Sequence, residues 1–198
     1  MLITKIFNVE SSHRVVNCSS KRCKYSIHGH SAVIEVTLEC AKPDNGGMGY
    51  DFGLMKGTIK EFIDSMDHCH LLYEKDDNEY IEFIKRFNSR YITLPVSPSA
   101  EFLSAYIFAG VEDILTHTHT ANGEGPIHVY SVRYHETKSG SATCFKSDVN
   151  IWCPYDPFKG VRYSPAVQDD WSNDLRDMVY LDKDVYNAEA EQQAPRVW

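Results

Sequence analysis

Apolar and polar residues alternate most regularly over residues 30–40. One face of this segment carries five apolar residues: Ala32, Ile34, Val36, Leu38 and Cys40. A period of two predicts a strand of an antiparallel sheet with one buried and one exposed face. Residues 2–9 mix β-branched and aromatic residues and predict an earlier strand, which could pair with the first as a hairpin.

Three segments carry apolar residues at helical spacing: residues 54–66, 77–88 and 97 to about 116. The third begins with Ser97-Pro98-Ser99-Ala100-Glu101, which predicts a Ser cap, Pro at the first helical position and an acid in the first turn. Further short strands are predicted over residues 48–52, 127–136 and 142–152. This order of elements predicts an α+β domain in which helices cover one face of an antiparallel sheet.

The end of the chain differs in charge from the rest. Residues 165–198 contain eight acidic and three basic residues, a net charge of −5 within a total of −8. A length of 198 residues favours one domain with an appendage. We therefore predict a domain over residues 1–150 and an acidic C-terminal extension over residues 151–198. The extension is expected to pack on the domain or on a partner through Trp171 and Val179-Tyr180-Leu181, with a partly disordered end.

Composition excludes several classes of protein. A net charge of −8 argues against a general binder of nucleic acids or anionic membranes. No apolar run approaches the roughly 18 residues that a membrane helix needs, and the N-terminus does not resemble a signal peptide. Six irregularly spaced cysteines without an export signal are interpreted as reduced thiols. These features predict a cytoplasmic protein.

Three histidines form a candidate metal site. His28 and His30 lie two residues apart in an extended segment, so their imidazoles can point to one place, with Gly29 leaving it unobstructed. If the first two strands pair, His13 joins them. Three neutral imidazoles leave a fourth position open, as in a catalytic zinc site. The alternatives are ordinary polar residues at strand ends, or a closed structural site that also uses Cys18 and Cys23.

Other residues are candidates for proton transfer and binding. A thiol near a metal or near basic residues is activated, which makes Cys23 a candidate nucleophile or base, with Cys18 as its competitor. Asp67 beside His68 can orient an acid–base imidazole, although a surface His at a helix end is the alternative. Glu136 ends a predicted strand and could accept two N–H groups from a guanine-like ring, unless it is simply solvated.

Taken together, these segments resemble the family of 6-pyruvoyltetrahydropterin synthase and 6-carboxytetrahydropterin synthase. The resemblance runs from residue 4 to about 148 and includes, in order, Ser12-His13, Cys23 before His28-Gly29-His30, residues 48–56, Asp67-His68 with Leu71, residues 97–101 and His135-Glu136-Thr137. It implies a tunnelling fold whose sheets join into a barrel in a trimer, with two trimers stacked as a hexamer and active sites between subunits.

The resemblance also implies roles for individual residues. His13, His28 and His30 would bind Zn²⁺, Cys23 would act as the thiolate base, and Asp67 and His68 would complete the relay. Glu136 would hold the pterin ring, with Ser99 and Glu101 close by.

The function expected first is conversion of 7,8-dihydroneopterin triphosphate to 6-carboxy-5,6,7,8-tetrahydropterin, acetaldehyde and triphosphate, an early step toward 7-deazaguanine. The segment from Cys18 to His30 favours this product because it looks like a bacterial queuosine-pathway branch. The alternatives are a 6-pyruvoyltetrahydropterin synthase and a non-catalytic, zinc-stabilised binding or scaffold protein.

Overall fold

The computed structural model describes residues 1–180, and these residues build one seven-stranded sheet. The strands are β1 (Leu2–His13), β2 (His28–Cys40), β3 (Cys69–Tyr73), β4 (Tyr91–Leu94), β5 (Ile127–Thr137), β6 (Gly140–Phe145) and β7 (Arg162–Tyr163). Their spatial order is β6-β5-β2-β1-β3-β4-β7. Pairing is antiparallel from β6 to β1 and between β4 and β7. It is parallel between β1 and β3 and between β3 and β4, so the sheet is mixed.

The helices within the described residues are α1 (Lys21–Tyr25), α2 (Thr58–Asp64), α3 (Asn78–Phe87), α4 (Ala100–His117), α5 (Lys146–Trp152), α6 (Pro165–Gln168) and α7 (Asn173–Tyr180). The long helix α4 contributes the largest share of buried side chains to the main core, which lies on one face of the sheet. Helix α3 covers the other face at β3 and β4, where Ile81 and Ile84 pack with Leu72 and Tyr91. The predicted α+β class is confirmed. The prediction of a purely antiparallel sheet with helices on one face is wrong, because β3 pairs in parallel with β1 and β4 and α3 covers the second face there.

The predicted hairpin is formed by β1 and β2, which pair from Leu2 opposite Glu39 to His13 opposite His28. The apolar positions of β2 are buried and its polar positions are more exposed, as the alternation predicts. The first strand continues four residues beyond the predicted end at residue 9. This extension places His13 directly beside the candidate metal ligands.

One predicted strand is absent, a second is shorter than predicted, and one predicted cap is wrong. Residues 48–52 bend and lead into a turn, in which the Asp51 carboxylate accepts the backbone N–H of Gly53. Residues 142–152 divide into β6 and α5, and the Asp148 carboxylate accepts the N–H of Phe145 where α5 begins. The cap of α4 is Ser99, whose Oγ accepts the N–H of Phe102.

The segment after residue 150 packs on the domain as far as residue 180. Val167, Trp171 and Leu175 are buried in the main core. The Trp171 ring meets Tyr163 edge to face at 4.7 Å. Leu181 and the rest of the predicted acidic tail lie outside the described residues. None of the helices in residues 1–180 is long and apolar enough to cross a membrane.

Candidate active site

The β1–β2 hairpin brings three imidazoles together at one end of the sheet. His13 and His28 are opposite each other in the register, and His30 lies two residues further along the same face of β2. Their ring centroids are 4.6 to 5.2 Å apart. One nitrogen from each ring lies within 4.8 Å of the others. The predicted convergence of the three rings is therefore present in the structure.

Backbone carbonyls orient two of these rings. The Pro98 carbonyl oxygen lies 2.7 Å from His13 Nδ1, and the Ser26 carbonyl oxygen lies 3.0 Å from His28 Nδ1. Because a carbonyl can only accept a hydrogen bond, Nδ1 carries the proton in each ring and Nε2 keeps its lone pair. This is the second-shell arrangement that fixes metal-binding histidines in proteins.

The nitrogens aimed at the centre of the cluster suit a metal ion. Among the described residues, the Nε2 atoms of His13 and His30 are buried and have no hydrogen-bond partner. Burial, and next the neighbouring His28, lower the pKa of His13 to about 4, which keeps this ring neutral at pH 7. Neutral imidazoles with free lone pairs are ligands for Zn²⁺ and similar divalent ions. The residues present therefore fit a bound divalent metal.

Gly29 has a different role from the predicted one. A Cβ at this position would lie 3.0 Å from the Ser11 carbonyl oxygen, on the face away from the rings. The glycine thus permits close approach of β1 to β2 between the two ligand positions, and does not clear space for the metal.

Glu136 borders the imidazoles, a contact that the sequence analysis did not predict. It follows Val132 and Tyr134 on the buried face of β5, and its carboxylate is 3.5 Å from His13 Nε2 and 3.7 Å from His30 Nε2. Because His13 is neutral at pH 7, its contact with the carboxylate is not an ion pair. The carboxylate instead borders the open side of the cluster, where a group bound next to the metal would contact it.

The two candidate cysteines lie on the connection between β1 and β2. Cys23 is half-buried in the short helix α1, and its backbone carbonyl accepts the N–H of Val15. Cys18 is also half-buried, and its thiol contacts the Ser20 carbonyl at 3.2 Å. Within residues 1–180 the group of potential ligands contains the three histidines and neither cysteine. Neither cysteine therefore closes the histidine cluster.

Asp67 and His68 lie in the turn between α2 and β3. The Asp67 carboxylate accepts the N–H of Glu10 at 2.8 Å, and the His68 N–H donates to the Glu10 carbonyl at 2.7 Å. His68 Nε2 is 3.9 Å from the Asp67 carboxylate. The His68 backbone is left-handed, with φ of 51°. This turn thus fixes the pair against the edge of β1.

Within a single chain, Asp67 and His68 lie outside the cluster of three imidazoles. His68 is mostly exposed and borders a cavity of about 300 Å³. The strand residues lining this cavity include His30 as well as Glu10, Ser12 and Ser31. Asp67 and His68 therefore lie beside β1, outside the group of three imidazoles, and His68 shares a cavity with His30.

A family model described as 6-pyruvoyl tetrahydropterin synthase matches residues 2–147. The chain belongs to this family. Two relatives from Helicobacter pylori carry the name 6-carboxy-5,6,7,8-tetrahydropterin synthase. The protein of strain J99 is 39% identical over 149 residues, covering 75% of this chain and 74% of the relative. That of strain 26695 is 35% identical over 187 residues, covering 94% and 90%.

Solved structures show that this synthase-family member has the tunnelling fold of the family. An uncharacterised protein from Wolinella succinogenes superposes with a TM-score of 0.60 at 17% identity, covering 74% of this chain and 98% of its own. The 6-pyruvoyl tetrahydropterin synthase of Caenorhabditis elegans superposes with a TM-score of 0.51 at 21% identity, covering 73% and 94%. At these identities the likeness concerns the fold.

The remaining site candidates lie at the start of α4. Ser99 caps this helix and follows Pro98, whose carbonyl orients His13. Glu101 is exposed in the first turn. No pattern in the sequence indicated the orienting carbonyls of Pro98 and Ser26, because every residue type carries a carbonyl and only the fold selects which one contacts a ring.

Proposed function

We propose that the protein is a zinc-dependent 6-carboxy-5,6,7,8-tetrahydropterin synthase in 7-deazaguanine (queuosine/preQ0) biosynthesis. It converts 7,8-dihydroneopterin triphosphate to the 6-carboxy product, acetaldehyde and triphosphate. The observation that carries the proposal is the three-histidine cluster with buried, unpartnered Nε2 atoms inside a synthase-family fold. The names of the relatives support the carboxy product over the pyruvoyl product.

Zinc held by His13, His28 and His30 would supply a Lewis acid that polarises the side-chain oxygens of the pterin and acidifies the neighbouring C–H bonds. The Pro98 and Ser26 carbonyls keep two of these rings in the ligand tautomer. His13 is buried, which shields its ring from bulk water. These residues would hold the metal without taking part in proton transfer.

Proton transfer is assigned to Cys23 and to the Asp67–His68 pair. The Cys23 thiolate removes a proton from the pterin side chain, and His68, oriented by Asp67, delivers or accepts a proton on the other side. Because the pair lies outside the group of three imidazoles within one chain, we assign a complete site to residues from neighbouring copies. This supports the homohexamer, built as a dimer of trimers, that the family resemblance implies.

Substrate binding is assigned to Glu136, with Ser99 and Glu101 near the ring. The Glu136 carboxylate borders the cluster of three histidines. It can accept the exocyclic and ring N–H groups of an aminopyrimidinone in a bidentate arrangement. The proposal places this reaction in the cytoplasm, with a small-molecule pterin as the partner and without nucleic acid or membrane.

Mass spectrometry of the products tests the proposal. Zinc-loaded protein incubated with 7,8-dihydroneopterin triphosphate should form 6-carboxytetrahydropterin and acetaldehyde in equal amounts. A 6-pyruvoyl product without acetaldehyde would assign the protein to the other branch of the family. Absence of turnover with zinc bound would contradict both enzyme assignments and favour a binding or scaffold protein.

A further inference from the structure

The segment over residues 164–172, called here the C-terminal strap, lies outside the family-model match, which ends at residue 147. The relative from Helicobacter pylori strain 26695 aligns over 187 residues, so its similarity extends beyond that match. The strap passes over the end of α2, next to the turn that carries Asp67 and His68.

The strap is hydrogen-bonded to the last turn of α2. Trp171 Nε1 donates to Ser65 Oγ at 2.7 Å, and both groups are buried. The Ser172 N–H and hydroxyl donate to the Glu61 carboxylate at 3.1 and 2.6 Å. Ser65 is two residues before Asp67, so these bonds fix the approach to the acid–base turn.

Arg90 joins the strap to Asp67 itself. Its Nε donates to the Asp67 carbonyl at 3.2 Å, and its Nη1 donates to the Ala166 carbonyl at 2.9 Å. Nη1 also contacts the carboxylate of Asp170, at the surface. The planar guanidinium can satisfy two carbonyls at once in a fixed geometry, which a lysine ammonium cannot do as well.

The peptide bond between Asp67 and His68 is thereby held on both sides. Its carbonyl accepts from Arg90, and its N–H donates to the Glu10 carbonyl. His68 needs such support because its left-handed backbone, with φ of 51°, is unfavourable for a residue with a side chain. Asp67, His68, Arg90 and Trp171 also border one cavity of about 420 Å³, whose wall the strap completes.

We propose that Arg90 and the strap residue Trp171 are positioning residues for the Asp67–His68 pair. Arg90 fixes the peptide that sets the direction of the His68 imidazole, and Trp171 fixes the end of α2 through Ser65. This inference rests on the proposed function, since it takes His68 as the acid–base group. It assigns a catalytic purpose to a segment that the family-model match does not reach.

The test compares three variants of the full-length zinc-loaded protein. Arg90→Lys keeps the positive charge but loses the paired hydrogen bonds to the Asp67 and Ala166 carbonyls. Trp171→Phe keeps an aromatic ring but loses the hydrogen bond to Ser65. Arg162→Lys is the matched control, because Arg162 is exposed on β7 and pairs with Glu74 at 3.7 Å, away from the turn. Each is measured for kcat, KM, zinc content and hydrogen exchange of the His68 amide.

Misplacement of a catalytic group lowers kcat more than substrate affinity. We expect roughly tenfold lower kcat for Arg90→Lys and roughly threefold lower kcat for Trp171→Phe, with KM within about twofold and zinc content unchanged. The His68 amide should exchange roughly tenfold faster in Arg90→Lys than in the control. A kcat for Arg90→Lys equal to that of Arg162→Lys would overturn the proposal.

Hydrogen exchange of the His68 amide tests the positioning proposal separately from the proposed function. If the wild-type protein turns over no pterin, the proposed function fails, and the His68 amide alone decides whether Arg90 holds the turn. Unchanged exchange in both Arg90→Lys and Trp171→Phe would then refute positioning. Faster exchange in these variants, with the control unchanged, would support it independently of activity.

Discussion

The buried Nε2 atoms of His13 and His30 are the residue-scale feature on which the metal assignment depends. A buried polar atom without a partner costs about 1–3 kcal/mol, and a bound cation would remove this cost. Ligand binding to the folded state stabilises it by about 2.7 kcal/mol at a hundredfold excess over Kd. For a chain of this size this corresponds to a rise in Tm of roughly 5–10 °C.

We therefore predict that zinc raises the Tm of the metal-free protein and that His28→Ala abolishes this rise. His128→Ala is the matched control, since His128 is exposed and contacts Glu112 at 3.0 Å. Differential scanning calorimetry with zinc and with a chelator measures the effect. Equal zinc-induced shifts in His28→Ala and wild type would exclude the cluster as the metal site.

Glu136 yields a second prediction at the same scale. Glu136→Ala should raise the Kd for the pterin by roughly 10–100-fold, because a charged acceptor of two hydrogen bonds is lost. Zinc content should stay unchanged, since the carboxylate is not among the grouped ligands. Glu35→Ala, on the exposed face beside His135, serves as the control. Isothermal titration and metal analysis check both quantities, and loss of zinc would show that Glu136 is itself a ligand.

The buried His70 gives a prediction for how the unfolding free energy depends on pH. It is buried between Ser12 and Tyr80, each 2.7 Å from a ring nitrogen. Burial lowers the pKa of His70 from 6.5 to about 4, so the unfolded chain binds the proton more readily than the folded one. Its contribution to stability is present above pH 6.5 and is lost as pH falls toward 4, by up to about 3 kcal/mol.

Urea unfolding of metal-free protein between pH 7 and pH 4 measures this dependence. The loss of unfolding free energy should be steeper in wild type than in His70→Gln, in which His13 still titrates. Identical slopes for the two proteins would contradict the assignment to His70.

At the scale of elements, the sequence pattern predicted strands that have one exposed face and missed strands that are buried on both faces. Strand β2 has one exposed face, so its polar and apolar residues alternate and its bounds could be predicted. Strands β3 and β4 are buried almost throughout because α3 covers the face that the main core leaves open. A short strand buried on both faces shows no alternation, and the sequence pattern missed both.

Helices α2 and α4 approach closely at Gly110, which gives a prediction for stability. A Cβ at this position would lie 2.3 Å from the Phe62 ring, which is buried. Alanine gains about 1 kcal/mol in helix propensity, but overpacking costs roughly 1–3 kcal/mol or more. Gly110→Ala should therefore lower the unfolding free energy by about 1–2 kcal/mol.

A double-mutant cycle identifies the cause of this loss. In the background of Phe62→Leu, where the ring is absent, Gly110→Ala should be neutral or stabilising in urea unfolding. The same loss in both backgrounds would show that the Phe62 ring is not responsible.

At the scale of the whole molecule, the site depends on contacts between distant parts of the chain. The convergence of His13, His28 and His30 could be predicted because one hairpin contains all three. The contacts of Pro98 with His13 and of Ala166 with Arg90 could not, because residues 76 or more positions apart meet only through the sheet order. The separation of His68 from the imidazoles has the same origin, since it depends on where the sheet order places the turn.

Zinc content measured beside turnover, in wild type and in Cys23→Ala, tests the central claim most directly. The claim is an open three-histidine zinc site served by a separate thiolate. It predicts one zinc per chain in both proteins and formation of 6-carboxytetrahydropterin by the wild type alone, with Cys18→Ala behaving like wild type. Loss of zinc in Cys23→Ala, or full turnover without the Cys23 thiol, would contradict it.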